Sequence, residues 1–323
     1  MKTFQSCLIN LLITAFLVTL LGGCGNSGGE TTPAPVQTGD VTAFPNASLL
    51  ATPSPGYVIP PQTIVLDARR SQAEYDAGHI PGAIFAPPSL FETNDVLNSD
   101  ADLTSALENL GLTRDSKILI YDNTTASLGS GGRLFWILEY LGCTDVTFLN
   151  GGWDLWKAQD MPVETVAVVH VPVVPAAAFS AIVNPQVVQF VDKEFVKEHF
   201  ITTPAAGFIL IDVREEQEYT GTVLNGAARP GHIPGAINLP YTKCFNPQDK
   251  SILNYQDLKA LLAARGITLD TNPKIVAYST IGHRSGFFYF LCRLMGYENV
   301  ANYTGSIVDW SKADADQYPM IAP

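Results

Sequence analysis

Positive charge is what this chain has least of. Its 19 lysines and arginines stand against 31 aspartates and glutamates, a formal net charge of −12, and basic runs are missing throughout. A surface of that sign argues against nucleic acid or anionic lipid as partners. An anion bound here must be drawn by local dipoles instead of the overall field. Cysteine is scarce too: the five are Cys7, Cys24, Cys143, Cys244 and Cys292, at spacings that fit no zinc pattern, so no metal site is expected. Long apolar runs are also lacking. The stretch from Leu8 to Leu21 is short for a membrane span; with Lys2 before it and small residues after it, it has the layout of an export signal.

That signal ends Leu21-Gly22-Gly23-Cys24, which resembles the lipobox of bacterial lipoproteins. The resemblance implies that residues 1–23 are removed, that Cys24 is lipidated, and that the protein meets the membrane through this lipid, facing the periplasm or the cell surface. Gly25 in place of Asp after Cys24 favours the outer membrane if the cell is Gram-negative. From 24 to 60 the chain is rich in Gly, Pro, Thr, Ser and Ala, with little to bury, and reads as an extended tether. Loss of Cys7 and lipidation of Cys24 leave Cys143, Cys244 and Cys292, an odd number, so at least one thiol stays free.

The remainder contains its own near copy. Gly78-His79-Ile80-Pro81-Gly82-Ala83-Ile84 recurs letter for letter at Gly231-His232-Ile233-Pro234-Gly235-Ala236-Ile237. Asp67-Ala68-Arg69 answers Asp212-Val213-Arg214, and Glu74-Tyr75 answers Glu218-Tyr219. Beyond the heptapeptide, Tyr121 pairs with Tyr278, Gly151 with Gly305 and Trp156 with Trp310, at an offset near 154 residues. Shared order at a steady offset means two copies of one fold. Within each copy short β-prone runs alternate with helical patterns: strand Ile64–Leu66, helix near 103–110, strand Ile118–Tyr121, helix near 133–141, strand Val146–Leu149. Such alternation predicts an α/β fold, two tandem parallel sheets with helices on both faces. Ligands on these sheets sit at the carboxyl ends of the strands. The domains are expected at 61–162 and 186–320, joined by a proline-rich linker over 163–185.

One stretch organises the chemistry. Lys274–Met295 reads as a buried strand, a tight loop Ser279-Thr280-Ile281-Gly282-His283-Arg284-Ser285, and an amphipathic helix. A loop ending on a helix N-terminus aims backbone amides and a positive dipole end at one spot, which suits an anion. A strand, a loop of the form Cys-x-x-x-x-Arg with glycine in its middle, then Ser or Thr and a helix, is the active-site cradle of the rhodanese (sulfurtransferase) family. With Asp-x-Arg, Glu-Tyr, Gly-His-Ile-Pro-Gly-Ala and the closing Gly-x-x-x-x-Trp in order in both copies, the chain resembles the tandem-domain members. The resemblance implies a fold, a small sulfur or oxyanion ligand and no cofactor.

One departure governs the expected activity. Where the family has its nucleophilic cysteine, this chain has Ser279. A thiol of ordinary pKa about 8.5 can be drawn to thiolate by amides and a cation, whereas a serine hydroxyl needs a base, and oxygen cannot store sulfur as a persulfide. A binding protein without persulfide chemistry, for a small sulfur species or for an envelope protein partner, is the first expectation. Transfer through another thiol is the alternative, with Cys244 beside Lys243 near the mouth as its candidate. A phosphatase or arsenate reductase is disfavoured, because those cradles are one residue longer and also use cysteine. Arg284 either binds the anion or locks the loop against a carboxylate; Arg214 and Arg229 flank the expected substrate contacts. His283 sits inside the cradle and is a candidate donor to the anion. At the matching position of the first copy stands Asp122, whose carboxylate repels anions and implies a structural role. His79 and His232 belong to a turn motif that the family uses for shape.

Overall fold

The computed structural model describes residues 43–94, 96–166 and 189–322. The expected export signal, Cys24, the tether as far as 42 and the linker from 167 to 185 lie outside the described residues.

The first copy contains β1 (Leu50–Ala51), β2 (Thr63–Asp67), β3 (Ile84–Phe85), a small antiparallel ribbon of β4 (Glu92–Thr93) and β5 (Val96–Leu97), then β6 (Lys117–Tyr121) and β7 (Val146–Leu149). Its sheet runs β1-β7-β6-β2-β3 with every pair parallel. Helices α1 (Gln72–Ala77), α2 (Asp100–Asn109), α3 (Ser130–Tyr140) and α4 (Gly152–Ala158) connect the strands. The second copy repeats this with β8 (Gln189–Val191), β9 (Phe208–Asp212), β10 (Ile237–Asn238), β11 (Lys274–Tyr278) and β12 (Val300–Tyr303). Its order, β10-β9-β11-β12-β8, is the same sheet read from the other edge. Its helices are α5 (Lys193–Val196), α6 (Glu216–Tyr219), α7 (Tyr255–Ala263), α8 (His283–Leu294) and α9 (Ser306–Lys312). The expected α/β architecture of two tandem parallel sheets is what forms.

Local chemistry explains the elements. The central strands β2, β6, β9 and β11 are runs of Ile, Val and Leu covered on both faces, as parallel strands must be. α1, α2 and α7 begin on Ser71, Ser99 and Asn254, whose side chains accept from backbone N–H groups of the first turn. α3 and α8 instead follow glycines in the left-handed region, Gly129 at φ 82° and Gly282 at φ 90°, and have no side-chain cap. Both are the helices that follow the cradle position of their copy.

The tether expectation fails over residues 43–60. Leu50 and Ala51 pair with Phe148 and Leu149 as the edge strand of the first sheet, and Asn46 Nδ2 donates to Arg293 O at 2.6 Å. Low apolar content misled there, since two residues added to an existing sheet edge satisfy their hydrogen bonds without a core of their own. At the other end the first copy continues past 162: Glu164 pairs with His79, and Trp156 Nε1 donates to Pro162 O at 2.8 Å.

The two copies share one core. α3 and α8 cross at glycines: a Cβ on Gly132 would stand 2.2 Å from Phe287 Cα, and one on Gly286 2.8 Å from Arg133 Cα. Phe135, Phe148, Phe287 and Phe290, from both copies, pack around that crossing. The crossing brings the first copy's loop against the start of α8.

Candidate anion-binding site

β11 is buried along its length between β9 and β12 and delivers Ser279 at its carboxyl end. The loop then turns through Gly282, where a Cβ would lie 2.7 Å from Thr304 O, so only glycine fits. The turn closes on the serine: Gly282 N donates to Ser279 Oγ at 3.0 Å. Ser279 N donates to Ser306 Oγ at 3.0 Å, and Ser279 O accepts from Ile307 N at 3.1 Å. The Ser285 hydroxyl lies 3.3 Å from Ser279 Oγ and donates to Asn302 Oδ1 at 2.7 Å. The hydroxyl is held by an amide and another hydroxyl, with neither imidazole nor carboxylate as its hydrogen-bond partner among the described residues.

Arg284 takes the locking role of the two left open by its motif. It donates to both Glu218 oxygens, at 2.6 and 2.8 Å, with Thr280 Oγ1 bonded to the same pair. Burial alone would raise the Glu218 pKa, but the Arg284 guanidinium overrides it and holds the carboxyl at about 2. Glu218 is therefore the partner that spends the positive charge of Arg284 on loop geometry.

Arg214 and Arg229, expected to flank the substrate contacts, are taken up instead by bonds within the fold. Arg214 is buried, bonded to Asp212 and to Gly231 O, as Arg69 is to Asp67 and Gly78 O in the first copy; both hold the turn motif against the sheet. Arg229 donates to Trp310 O, Ser311 O, Ala313 O and Tyr318 O, a clamp on the C-terminal segment. His79 and His232 stack on Tyr75 and Tyr219 at 3.9 and 3.7 Å between ring centroids, which fits their reading as parts of a turn.

A cavity of about 340 Å³ opens over the loop. Ser279, Thr280, Ile281, His283 and Arg284 line it with Asn225, Gly226, Val308 and Lys312; the first copy adds Arg70 and Leu128. Lys312 and Arg70 supply the positive charge that Arg284 does not. Sequence reasoning missed both. Lys312 follows the closing tryptophan and carries no motif, and Arg70 reaches the site only through the packing of one copy on the other.

Asp122 behaves differently from Ser279. Its side-chain oxygens accept from Thr124 N at 2.8 Å and Gly131 N at 2.9 Å, so these two amides of the first copy's loop are already occupied by an internal carboxyl group. Burial drives its pKa up to about 7 against those bonds. Cys244 is fully buried, and burial pushes its thiol up to about 12; it does not line the cavity. Cys143 is likewise pushed up to about 12, and Cys292 goes well above its ordinary value.

The sequence model of the rhodanese-like domain matches this chain twice, over residues 58–159 and 193–313. Among characterised sequences the chain is similar to the sulfur carrier protein TtuD of Thermus thermophilus, 32 % identical over 77 % of this chain and 88 % of the relative. It is 30 % identical to the thiosulfate sulfurtransferase of Pseudomonas aeruginosa over the same shares, and 32 % identical to that of Corynebacterium glutamicum over 76 % and 81 %. Among solved structures, an anaerobic ergothioneine biosynthesis enzyme from Chlorobium limicola, in complex with trimethyl histidine, has a TM-score of 0.75 at 24 % identity. The match covers 86 % of this chain and 71 % of that one; it is a likeness of fold.

Proposed function

The chain belongs to the rhodanese family, and we propose that within it this protein binds a small sulfur-containing oxyanion, with thiosulfate as the type, at the Ser279–Arg284 loop without forming a persulfide. The observation that carries the reading is the serine at the centre of a closed cradle. Its Oγ accepts from Gly282 N and has Ser285 as its other neighbour, so a loop amide is aimed at the position of the family's sulfur while the atom that stands there is oxygen. Arg70 and Lys312 at the cavity wall give the ligand its counter-charge in an otherwise acidic protein. Binding of an envelope partner at the same loop is the variant of this reading in which the oxyanion is carried by a protein. The sequence at Leu21–Cys24 supports an exported lipoprotein anchored through Cys24.

The test is thiosulfate:cyanide sulfurtransfer by the chain without its export signal and by Ser279→Cys. The wild type is expected near background. In Ser279→Cys the new thiolate attacks the outer sulfur of thiosulfate, an S–S bond forms as the thiosulfate S–S bond breaks, and sulfite leaves; turnover should rise at least tenfold. Wild-type turnover at the level of ordinary family members overturns the proposal. The names of the relatives favour a second reading, in which transfer survives through another thiol. Cys244→Ser discriminates, since loss of activity there and none in Ser279→Ala would establish it. Incorporation of labelled fatty acid, lost in Cys24→Ala, tests the anchor.

A further inference from the structure

The cradle of the second copy is completed by a residue of the first. Glu92 lies on β4, and its side chain is 6 % exposed. One carboxylate oxygen accepts from Arg133 Nε at 2.7 Å; the other stands 2.7 Å from His283 Nε2. His283 opens α8 and lines the cavity. The two terminal nitrogens of Arg133 and His283 Nδ1 are buried without a partner among the described residues, so Glu92 is the acceptor on which both side chains depend. We propose that Glu92 is a positioning residue for the anion site, its carboxylate fixing the His283 ring in the cavity wall and serving as counter-ion when that ring takes up a proton.

The function of this arrangement rests on the anion-site reading above, but its geometry does not. A carboxylate only accepts, so Nε2 carries a proton in both charge states of the ring, and the neutral form is fixed as one tautomer. The charged groups around the imidazole are Glu92 on β4, Arg133 on α3 and Arg70 after β2; Arg284 on its own helix is taken up by Glu218. Burial, with help from Arg133 and Arg70, sets the His283 pKa below the ordinary histidine value, and Glu92 pulls it back up. Removing Glu92 takes away the one group that makes an imidazolium tolerable there. With Glu92 in place, falling pH adds a positive charge beside the anion.

The test is imidazole ¹⁵N NMR of the ligand-free chain without its export signal. The chain has five histidines, and His283 is assigned by its loss in His283→Gln. In the wild type the neutral ring should be the Nε2–H tautomer; in Glu92→Gln the titration midpoint should fall by at least half a pH unit. Because Glu92→Gln leaves Arg133 uncompensated, Glu92→Gln/Arg133→Met serves as the second variant, with a smaller fall in the same direction. An unchanged His283 midpoint in both variants overturns the proposal. Thiosulfate affinity on the same samples should be at least threefold weaker in Glu92→Gln at pH 6 and alike at pH 8. If the wild type binds no thiosulfate while the midpoint still moves, the ligand assignment fails and the positioning role stands.

Discussion

A serine stands where the family has its cysteine, and a carboxylate, Glu218, holds the loop around it. Glu218 and Arg284 form a buried two-point ion pair, and the depressed pKa of Glu218 is a statement about stability. The folded value of about 2 lies below the ordinary glutamate value near 4.3. The stabilisation from the pair is therefore complete above that ordinary value and is lost as pH falls from there toward 2, amounting to about 3 kcal/mol by linkage. Urea unfolding from pH 6 to pH 3 should show Glu218→Gln less stable than wild type by about 3 kcal/mol at pH 6, with the gap narrowing toward pH 3. Asp122 has the opposite sign. Its folded pKa of about 7 exceeds the ordinary value near 3.9, so its contribution is intact below pH 4 and declines as pH rises to 7; Asp122→Asn should flatten that part of the stability profile. Asp122 could be read from the sequence as a replacement in the family pattern. The partner of Arg284 could not, because arginine at that position serves an anion or a carboxylate equally well until the position of Glu218 in space is known.

Among the elements, the pairing of α3 with α8 carries the greatest consequence. Gly132 and Gly286 let the helix backbones meet, and the close approach sets the first copy's loop on the beginning of α8, where a Cβ on Gly129 would lie 2.8 Å from His283 O. Alanine in a helix interior is favoured over glycine by about 1 kcal/mol, whereas forcing atoms into a packed contact costs roughly 1–3 kcal/mol. At Gly132 the contact is with backbone, which cannot rotate aside, so the second term wins. Gly132→Ala is expected to lose up to about 2 kcal/mol in denaturant unfolding and to weaken thiosulfate binding; a gain in stability would show that the helices can separate without cost. The strands and the long helices were legible from periodicity: Ile118–Tyr121 and Val146–Leu149 fall on β6 and β7. The edge strand β1 was not, since two residues carry no period. Its pairing with β7 exists only because the sheet is already there.

At the level of the whole molecule, the two copies behave as one folded body. Their apolar residues form a common cluster across the α3–α8 contact, including Phe135, Trp136 and Phe148 from the first copy and Phe287, Phe290 and Leu291 from the second. Scanning calorimetry should give a single transition whose calorimetric and van't Hoff enthalpies agree, and Gly132→Ala is the variant expected to split it. Sequence alone determined the duplication, the alternation of strand and helix, the cradle loop and the missing thiol, because each is written in residues close together along the chain. What faces that loop was decided by tertiary structure. Glu92 and Arg70 come from the other copy, and Glu218 from helix α6 of the same one. Burial turned Cys244 into core, and Arg214 and Arg229 into clamps. Charges that meet across folded layers leave no periodic trace in the sequence, so their pairing is set only when packing removes them from water and obliges each to find a partner.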